Sequence, residues 1–268
     1  MSEKTSEGAL RIFSYTPNPR IFKASIVARL CDLEIDIRGS SVQDLAKWLW
    51  DFHARPLTTS EIKEDKDNAR QSRIGFKGTL HKTEEFLKAH PFGTVPAAFS
   101  PDGSIGIFES NSIMRAVARL KKKPGPLYGT DPFSTSRIDS FLDVSLVFAN
   151  QTQKYFMAVF GEMTPEVWNE SEKAYITYLS GMEDALETSP FVAGNELTLA
   201  DICLVCELCL CMMERKFMRE LEKRGFQCIL NERREKEYPN VFTHFYRLVK
   251  TAAFEPDCGP YLASMRNE

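Results

Sequence analysis

Two short motifs and one cluster in this sequence have residue types and spacings that could do chemistry. Glu109-Ser110-Asn111 stands where a helix begins, because Ile113, Met114, Val117 and Leu120 follow at helical intervals. A hydroxyl and an N–H at the start of a helix face its partial positive end, which favours a carboxylate. The same residues also suit a plain N-cap with a solvent-exposed glutamate. Val95-Pro96 precedes a short apolar run, and its peptide bond can be cis, held so by tertiary structure, or trans at the opening of an edge strand. Of the seven cysteines, Cys203, Cys206, Cys209 and Cys211 crowd one segment, and thiolates converging on one point would bind zinc. On a helix turning about 100° per residue, however, they fan around most of its circumference. Their neighbours are Ile202, Leu204, Val205, Leu208 and Leu210, so the geometry favours packing as small hydrophobes and no metal site is expected.

The chain that must position these groups has 268 residues, room for one large domain or two small ones. It is 43% hydrophobic and 26% charged, the balance of a globular protein with a sizeable core. The formal net charge is −3, from 34 basic and 37 acidic residues. That argues against nucleic-acid binding through bulk charge, which shows as a basic excess. The most apolar stretch, Leu197 to Met213, is broken by Asp201 and Glu207, so no membrane span is expected. Met1-Ser-Glu-Lys-Thr-Ser-Glu7 lacks the apolar segment of a signal peptide. The odd cysteine count is no disulfide framework, and the expected compartment is the cytosol.

Leu10 to Tyr15 reads as a strand stopped by Thr16-Pro17-Asn18-Pro19, Ile21 to Leu33 as a helix, and Glu34 to Ile37 as a second strand parallel to the first. A polar insertion follows. Val42, Leu45, Leu49 and Phe52 predict an amphipathic helix near Ser41–His53, with Trp48 and Trp50 covering neighbouring surface. Thr58 to Arg73 is charged and nearly without large apolar residues, the composition of a mobile loop. A further helical turn or two is expected over His81–Leu87. Thr94–Phe99 and Ile105–Phe108, joined through Asp102-Gly103, form a hairpin signal. Lys121 to Pro126 ends the helix that Ser110 opens and marks a domain boundary. Beyond it the pattern predicts helices over 132–160, 165–188, 199–224 and 240–253. Thr198-x-x-Asp201 is a capping-box start that anchors a helix in the interior.

This order of elements resembles the soluble glutathione transferase superfamily over nearly the whole chain outside residues 39–78. The stretches that carry the resemblance are Asn18-Pro-Arg-Ile-Phe-Lys-Ala24, Glu85-Phe-Leu87 with Val95-Pro-Ala97, Phe108-Glu-Ser-Asn-Ser-Ile113, Leu199-Ala-Asp-Ile202 with Val205-Cys206, and Tyr238-Pro-Asn-Val241. Within the superfamily they are similar to the transferase-like portion of translation elongation factor 1-gamma. The resemblance implies an α/β thioredoxin-like domain over 1–120, with the insertion at about 39–78, followed by an all-α C-terminal domain over 121–268.

It also implies glutathione as co-substrate. Val95 and Pro96, joined by a cis bond, would pair main chain to main chain with the cysteinyl part. Glu109 would hold the γ-glutamyl ammonium and Ser110 its carboxylate, while His81 stands near the position that meets the glycine carboxylate. Thr94 departs from the lysine that many relatives carry there. Conjugation needs the glutathione thiol, with a pKa of about 8.5 when free, to ionise at neutral pH, so a donor must face the thiolate. Tyr15 is the first candidate donor and Asn18 the second; a purely packing role for Tyr15 stays open. Glutaredoxin-like disulfide exchange is not expected without a cysteine there. Tyr155, Phe156, Phe160 and Trp168 are candidates to line the pocket of an unidentified electrophile, or else core. The alternative function is a weakly catalytic or non-catalytic scaffold with a translation-factor partner. Elongation factor 1-gamma carries a lysine-rich linker and a further domain, whereas this sequence ends soon after Ala252–Pro256, which favours a free-standing transferase-like protein. A homodimer is expected from the family alone.

Overall fold

In the computed structural model of the protein, residues 10–72, 76, 78–121 and 125–265 are described. The chain divides into two units, Met1–Lys121 and Lys122–Glu268. In the first, β1 (Leu10–Phe13), α1 (Pro19–Cys31) and β2 (Ile35–Arg38) form the expected unit, with β1 and β2 parallel. The insertion follows as β3 (Trp48–Trp50), β4 (Arg55–Pro56), α2 (Thr59–Glu64), β5 (Ala69–Gln71) and β6 (Thr79–Lys82). After it come α3 (Glu84–Ala89), β7 (Ala97–Phe99), β8 (Gly106–Phe108) and α4 (Ser110–Leu120). One sheet has the order β2-β1-β7-β8, with β7 antiparallel to both β1 and β8, so this unit is thioredoxin-like.

The insertion departs from the sequence reading. Instead of an amphipathic helix over 41–53, a single 3₁₀ turn at Leu45–Lys47 runs into β3. Trp48-Leu49-Trp50 favours a pleated surface, and β3 finds a parallel partner in β6, with Leu49 opposite His81. Val42, one member of the apparent stripe, is exposed, whereas Trp50 is buried rather than spread on the surface. The Trp50 ring packs edge-on against Phe13 at 5.4 Å and Phe86 at 6.1 Å, and its indole N–H donates to the Leu45 carbonyl at 3.0 Å. Strands β4-β3-β6-β5 thus make a second sheet.

The segment expected as a mobile loop over 58–73 contains α2 and β5 where it is described, and Arg73 lies outside the described residues. Its order comes from polar bonds that hydropathy does not register. Thr58 and Glu61 close a capping box, Arg55 pairs with Glu61 at 2.6 Å, and Asn68 donates to Asp65. The helix expected over 81–87 begins only at Glu84, because His81 and Lys82 belong to β6 and Thr83 caps α3.

Strand alternation places Phe13, Ala97 and Phe99 on one face of the first sheet, where Leu45, Trp50, Leu80 and Phe86 join them in a single apolar cluster. The insertion is therefore part of the hydrophobic core of this unit. Helices α1 and α4 pack together, and Ile26, Val27, Ile113, Met114 and Val117 are buried on them.

The second unit consists of α5 (Pro132–Phe160), α6 (Pro165–Thr188), α7 (Leu199–Cys211), α8 (Met218–Lys223), α9 (Glu232–Glu237), α10 (Pro239–Leu248) and α11 (Glu255–Ala263). The helix expected over 199–224 breaks into a 3₁₀ stretch at Met212–Phe217. There the Glu214 carboxylate turns inward to accept from the Tyr155 hydroxyl and from the N–H groups of Ile229 (2.8 Å) and Leu230 (2.6 Å). The last expected helix ends at Leu248 rather than Ala253, and charged α9 and proline-bearing α11 carry no apolar stripe that would announce them. Every residue of α7 is buried, and all seven cysteines are buried and none is in a disulfide. Among the described residues no helix is long and apolar enough to cross a membrane, and no group of three His, Cys, Asp or Glu side chains could hold a metal ion.

Candidate functional site

The candidate site is built on the β1–α1 turn, the approach to β7 and the start of α4, all in the first unit. Asn18 caps α1: its Oδ1 accepts from the Arg20 N–H at 3.0 Å, and its Nδ2 donates to the Ser14 hydroxyl oxygen at 3.0 Å. Both Asn18 and Ser14 are buried. Gly39 lets the chain leaving β2 run tightly beside this turn, since a Cβ there would lie 1.6 Å from the Ser14 carbonyl oxygen. Tyr15 is half-buried and packs against the cluster that holds Phe13 and Trp50.

The Val95–Pro96 peptide bond is cis, as is Thr16–Pro17. Immediately after it, Ala97 pairs with Phe108, so the Val-Pro corner and Glu109 lie next to each other at the same end of the hairpin. Glu109 adopts φ 66° and ψ 125°, a conformation that costs a non-glycine residue about 1–3 kcal/mol and concentrates at ligand sites. Its side chain is exposed, whereas Ser110 and Asn111, the first two residues of α4, are buried. Behind them lies Lys23 of α1, 1% exposed. Its Nζ donates to Ser110 Oγ at 3.3 Å and to Asn111 Oδ1 at 2.8 Å.

The loop before the corner is held by His90, whose Nε2 accepts from the Thr94 N–H at 3.2 Å while its ring stacks on Phe108 at 4.8 Å. Burial pushes the His90 pKa down, which favours the neutral imidazole that can accept. Thr94 itself offers no charge, but Lys82 of β6 reaches this loop: its Nζ donates to the Gly93 carbonyl at 2.6 Å and lies 4.6 Å from the Trp50 ring centroid. His81, one residue earlier, is buried in the second sheet, and its Nδ1 lies 2.9 Å from Asp65. Burial pushes the Asp65 carboxyl up, but hydrogen bonds from His81 and Asn68 outweigh it and leave the pKa low.

Val95, Pro96, Glu109 and Ser110 therefore come together around one corner. Tyr15 and Asn18 belong to the β1–α1 turn, and His81 is engaged with Asp65. Lys23 and Lys82 were missed in the sequence. For Lys23 the usable signal was a lysine inside the buried run Ile21–Val27; for Lys82 there was none, because its reach depends on the register of β6.

The aromatic residues offered for a second pocket do not form one set. Tyr155 and Phe156 are buried in the helical core, where Tyr155 bonds Glu214. Phe160 is exposed against Phe217, and the Trp168 indole N–H donates to the Gln227 carbonyl at 2.9 Å. Tyr155 and Phe156 thus follow the core alternative.

Residues 148–251 match the family described as glutathione S-transferase, C-terminal domain. Over those residues the chain belongs to the glutathione transferase superfamily. Within it, the chain is similar to elongation factor 1-gamma 1 of Oryza sativa subsp. japonica, 34% identical over 188 residues, which are 68% of this chain and 40% of that relative. The chain thus spans less than half the length of the elongation factor relatives it matches. The glutathione S-transferase-like protein FUS3 of Gibberella moniliformis is 26% identical over 255 residues, 92% of this chain and 90% of the relative. The same fold occurs in the glutathione transferase URE2P6 of Phanerochaete chrysosporium, solved in complex with oxidized glutathione, at TM-score 0.62 and 15% identity over 97% of this chain and 98% of that one.

Proposed function

We propose that this protein binds glutathione on its thioredoxin-like unit and joins the glutathione sulfur to an electrophile. The observation that carries the reading is the cis Val95–Pro96 corner beside Glu109, with its positive φ, and Ser110 at the start of α4. A tripeptide with two carboxylates, an ammonium and a thiol matches these groups. Main-chain atoms of Val95 face the cysteinyl part, Ser110 and the α4 terminus take the γ-glutamyl carboxylate, and Glu109 takes the ammonium. Lys82 is the basic side chain on the β6 side for the glycine carboxylate, since it reaches the loop before Val95 while His81 is turned to Asp65. Tyr15 is the proposed donor to the thiolate, formed by loss of the thiol proton to solvent; with a nitro-aromatic halide the sulfur bonds to the ring carbon as the carbon–halogen bond breaks and halide leaves. Asn18 is the weaker candidate because its amide already caps α1 and bonds Ser14.

A second reading is a transferase-like scaffold with little or no catalysis, joined to a translation-factor partner. It is favoured by the similarity to elongation factor 1-gamma and by the engagement of Ser14 with Asn18. On either reading the protein acts as a homodimer in the cytosol.

Immobilised glutathione should retain the wild type and retain Ser110→Ala less. Passage of the wild type straight through the column removes the ligand site. Conjugation of a nitro-aromatic halide separates the two readings: Tyr15→Phe should slow it, and Asn18→Ala should act mainly by loosening the cap, worth about 1 kcal/mol of stability. Equal rates in wild type and Tyr15→Phe remove Tyr15 from the chemistry. Retention without any conjugation supports the scaffold.

A further inference from the structure

We propose that His90 is a proton-operated latch on the loop that leads into the Val95–Pro96 corner, so that acid releases the ligand; for that ligand the inference rests on the glutathione reading above. The loop hangs on His90 twice. The His90 carbonyl accepts from the Gly93 N–H at 2.9 Å, and its Nε2 accepts from the Thr94 N–H at 3.2 Å, with the Thr94 hydroxyl also 3.2 Å away. Val95, whose main chain is the proposed partner of the cysteinyl part, is the next residue. A ring nitrogen accepts only while it carries no proton, so the Thr94 N–H bond requires the neutral imidazole with its hydrogen on Nδ1.

A protonated ring does not fit this arrangement, because both of its nitrogens donate. Nε2–H then meets the Thr94 N–H, donor against donor, and Nδ1 is buried without a hydrogen-bond partner among the described residues. The fully buried ring has no room to turn aside: it stacks on Phe108 of β8 at 4.8 Å and lies 5.8 Å from Phe86 of α3. The charge that acts on it is Lys82 of β6, a cation that opposes a second one, while α3 and β8 face it with these phenyl rings and the loop faces it with Thr94. Burial, and after it Lys82, hold the His90 pKa below its ordinary value. The contribution of the neutral ring is therefore complete above about pH 6.5 and is lost as pH falls below it. The loop is the element that yields: Nε2–H can be given to the Thr94 hydroxyl once the Thr94 N–H has moved away, and Val95 moves with it.

The test is a series from about pH 7.5 to about pH 4.5 on the full chain, wild type and His90→Gln. It is read by calorimetric titration with glutathione and by the Thr94 amide and His90 ring resonances of the unliganded protein. Glutamine places an accepting oxygen near the Nε2 position and does not titrate. Wild-type affinity should fall by up to about tenfold per pH unit on the acid side of the His90 titration, the limit for one coupled proton. The Thr94 amide should move with the His90 ring at one midpoint, and His90→Gln should flatten both responses. Wild-type affinity that stays constant over the series overturns the inference. An equal acid loss in both proteins also overturns it and leaves the glutathione reading intact, since the other titratable groups of the site are common to both. A Thr94 amide that stays still while His90 titrates overturns it too, even where His90→Gln does not fold. A wild type that binds no glutathione at neutral pH overturns the glutathione reading and the ligand half of this inference, while the Thr94 amide still decides the latch.

Discussion

Replacing Asp201 by alanine should destabilise the helical unit by about 3–5 kcal/mol. The Asp201 side chain is fully buried at the start of α7. Its Oδ2 accepts from the Thr198 N–H at 2.8 Å and the Thr198 hydroxyl at 3.0 Å, and its Oδ1 from the Val192 N–H at 2.9 Å. The Nε2 of His244 on α10 lies 2.9 Å from the same Oδ1, while its Nδ1 faces the Arg247 guanidinium at 2.9 Å. Because a guanidinium only donates, Nδ1 is the accepting nitrogen and Nε2 carries the proton given to Asp201. Alanine removes the Asp201 half of the capping box, leaving Thr198 as the cap, and strands buried donors that cost about 1–3 kcal/mol each when unsatisfied. Asparagine keeps the shape and one acceptor oxygen, so about half the loss is expected. Urea unfolding followed by far-ultraviolet circular dichroism reads the helical unit directly, with an unchanged denaturant slope showing that only stability moved. A drop in the Asp201→Ala midpoint worth less than about 1 kcal/mol, close to an ordinary surface substitution, would refute the assignment of this carboxylate as a central tie of α7 and α10.

Three further outcomes are expected. Burial pushes the Glu214 carboxyl from 4.5 up to about 6, against lowering bonds from Tyr155, Leu230 and Ile229. The folded protein therefore holds this proton more tightly than the unfolded chain: the stabilisation is complete below pH about 4.5 and is lost as pH rises through about 6, a change of about 2 kcal/mol. The stability deficit of Glu214→Gln against wild type should shrink by that amount from acid to neutral pH, and a constant or growing deficit contradicts the reading. The Arg55 hydrogen bond, with help from Thr58, brings the Glu61 carboxyl down to about 2, so its resonance should titrate well below its usual range and move upward in Arg55→Ala; an unmoved midpoint rejects the pair. Trp50→Ala should cost about 3–5 kcal/mol in unfolding experiments, since the ring fills the core that the insertion shares with the first sheet; a loss near zero would mean that the insertion is an appendage.

The corner was legible because its parts are local. Val95-Pro96, the Asp102-Gly103 turn and the Glu109-Ser110 helix start lie within sixteen residues of one another, and hairpin pairing brings their ends together. The Thr198–Asp201 box was legible for the same reason: its donors and acceptors are three residues apart. The insertion was not legible. Its strands pair across long separations, as Leu49 does with His81, and its polar order rests on pairs such as Arg55–Glu61 and Asp65–His81 that no apolar periodicity announces.

By itself the sequence determined where β1, α1, β2, the hairpin and the long helices α5 and α6 lie, because periodicity and caps act over a few neighbouring residues. It also determined that the cysteines of α7 would be core, since a helix apolar on every side has nowhere else to go. Only the tertiary structure decided that Lys23 would stand beneath Ser110, that Lys82 would reach the loop before Val95, and that Trp50 would be buried. Each of these depends on the distance between segments 11 to 87 residues apart, which is fixed by packing and strand register rather than by the neighbours of any one residue.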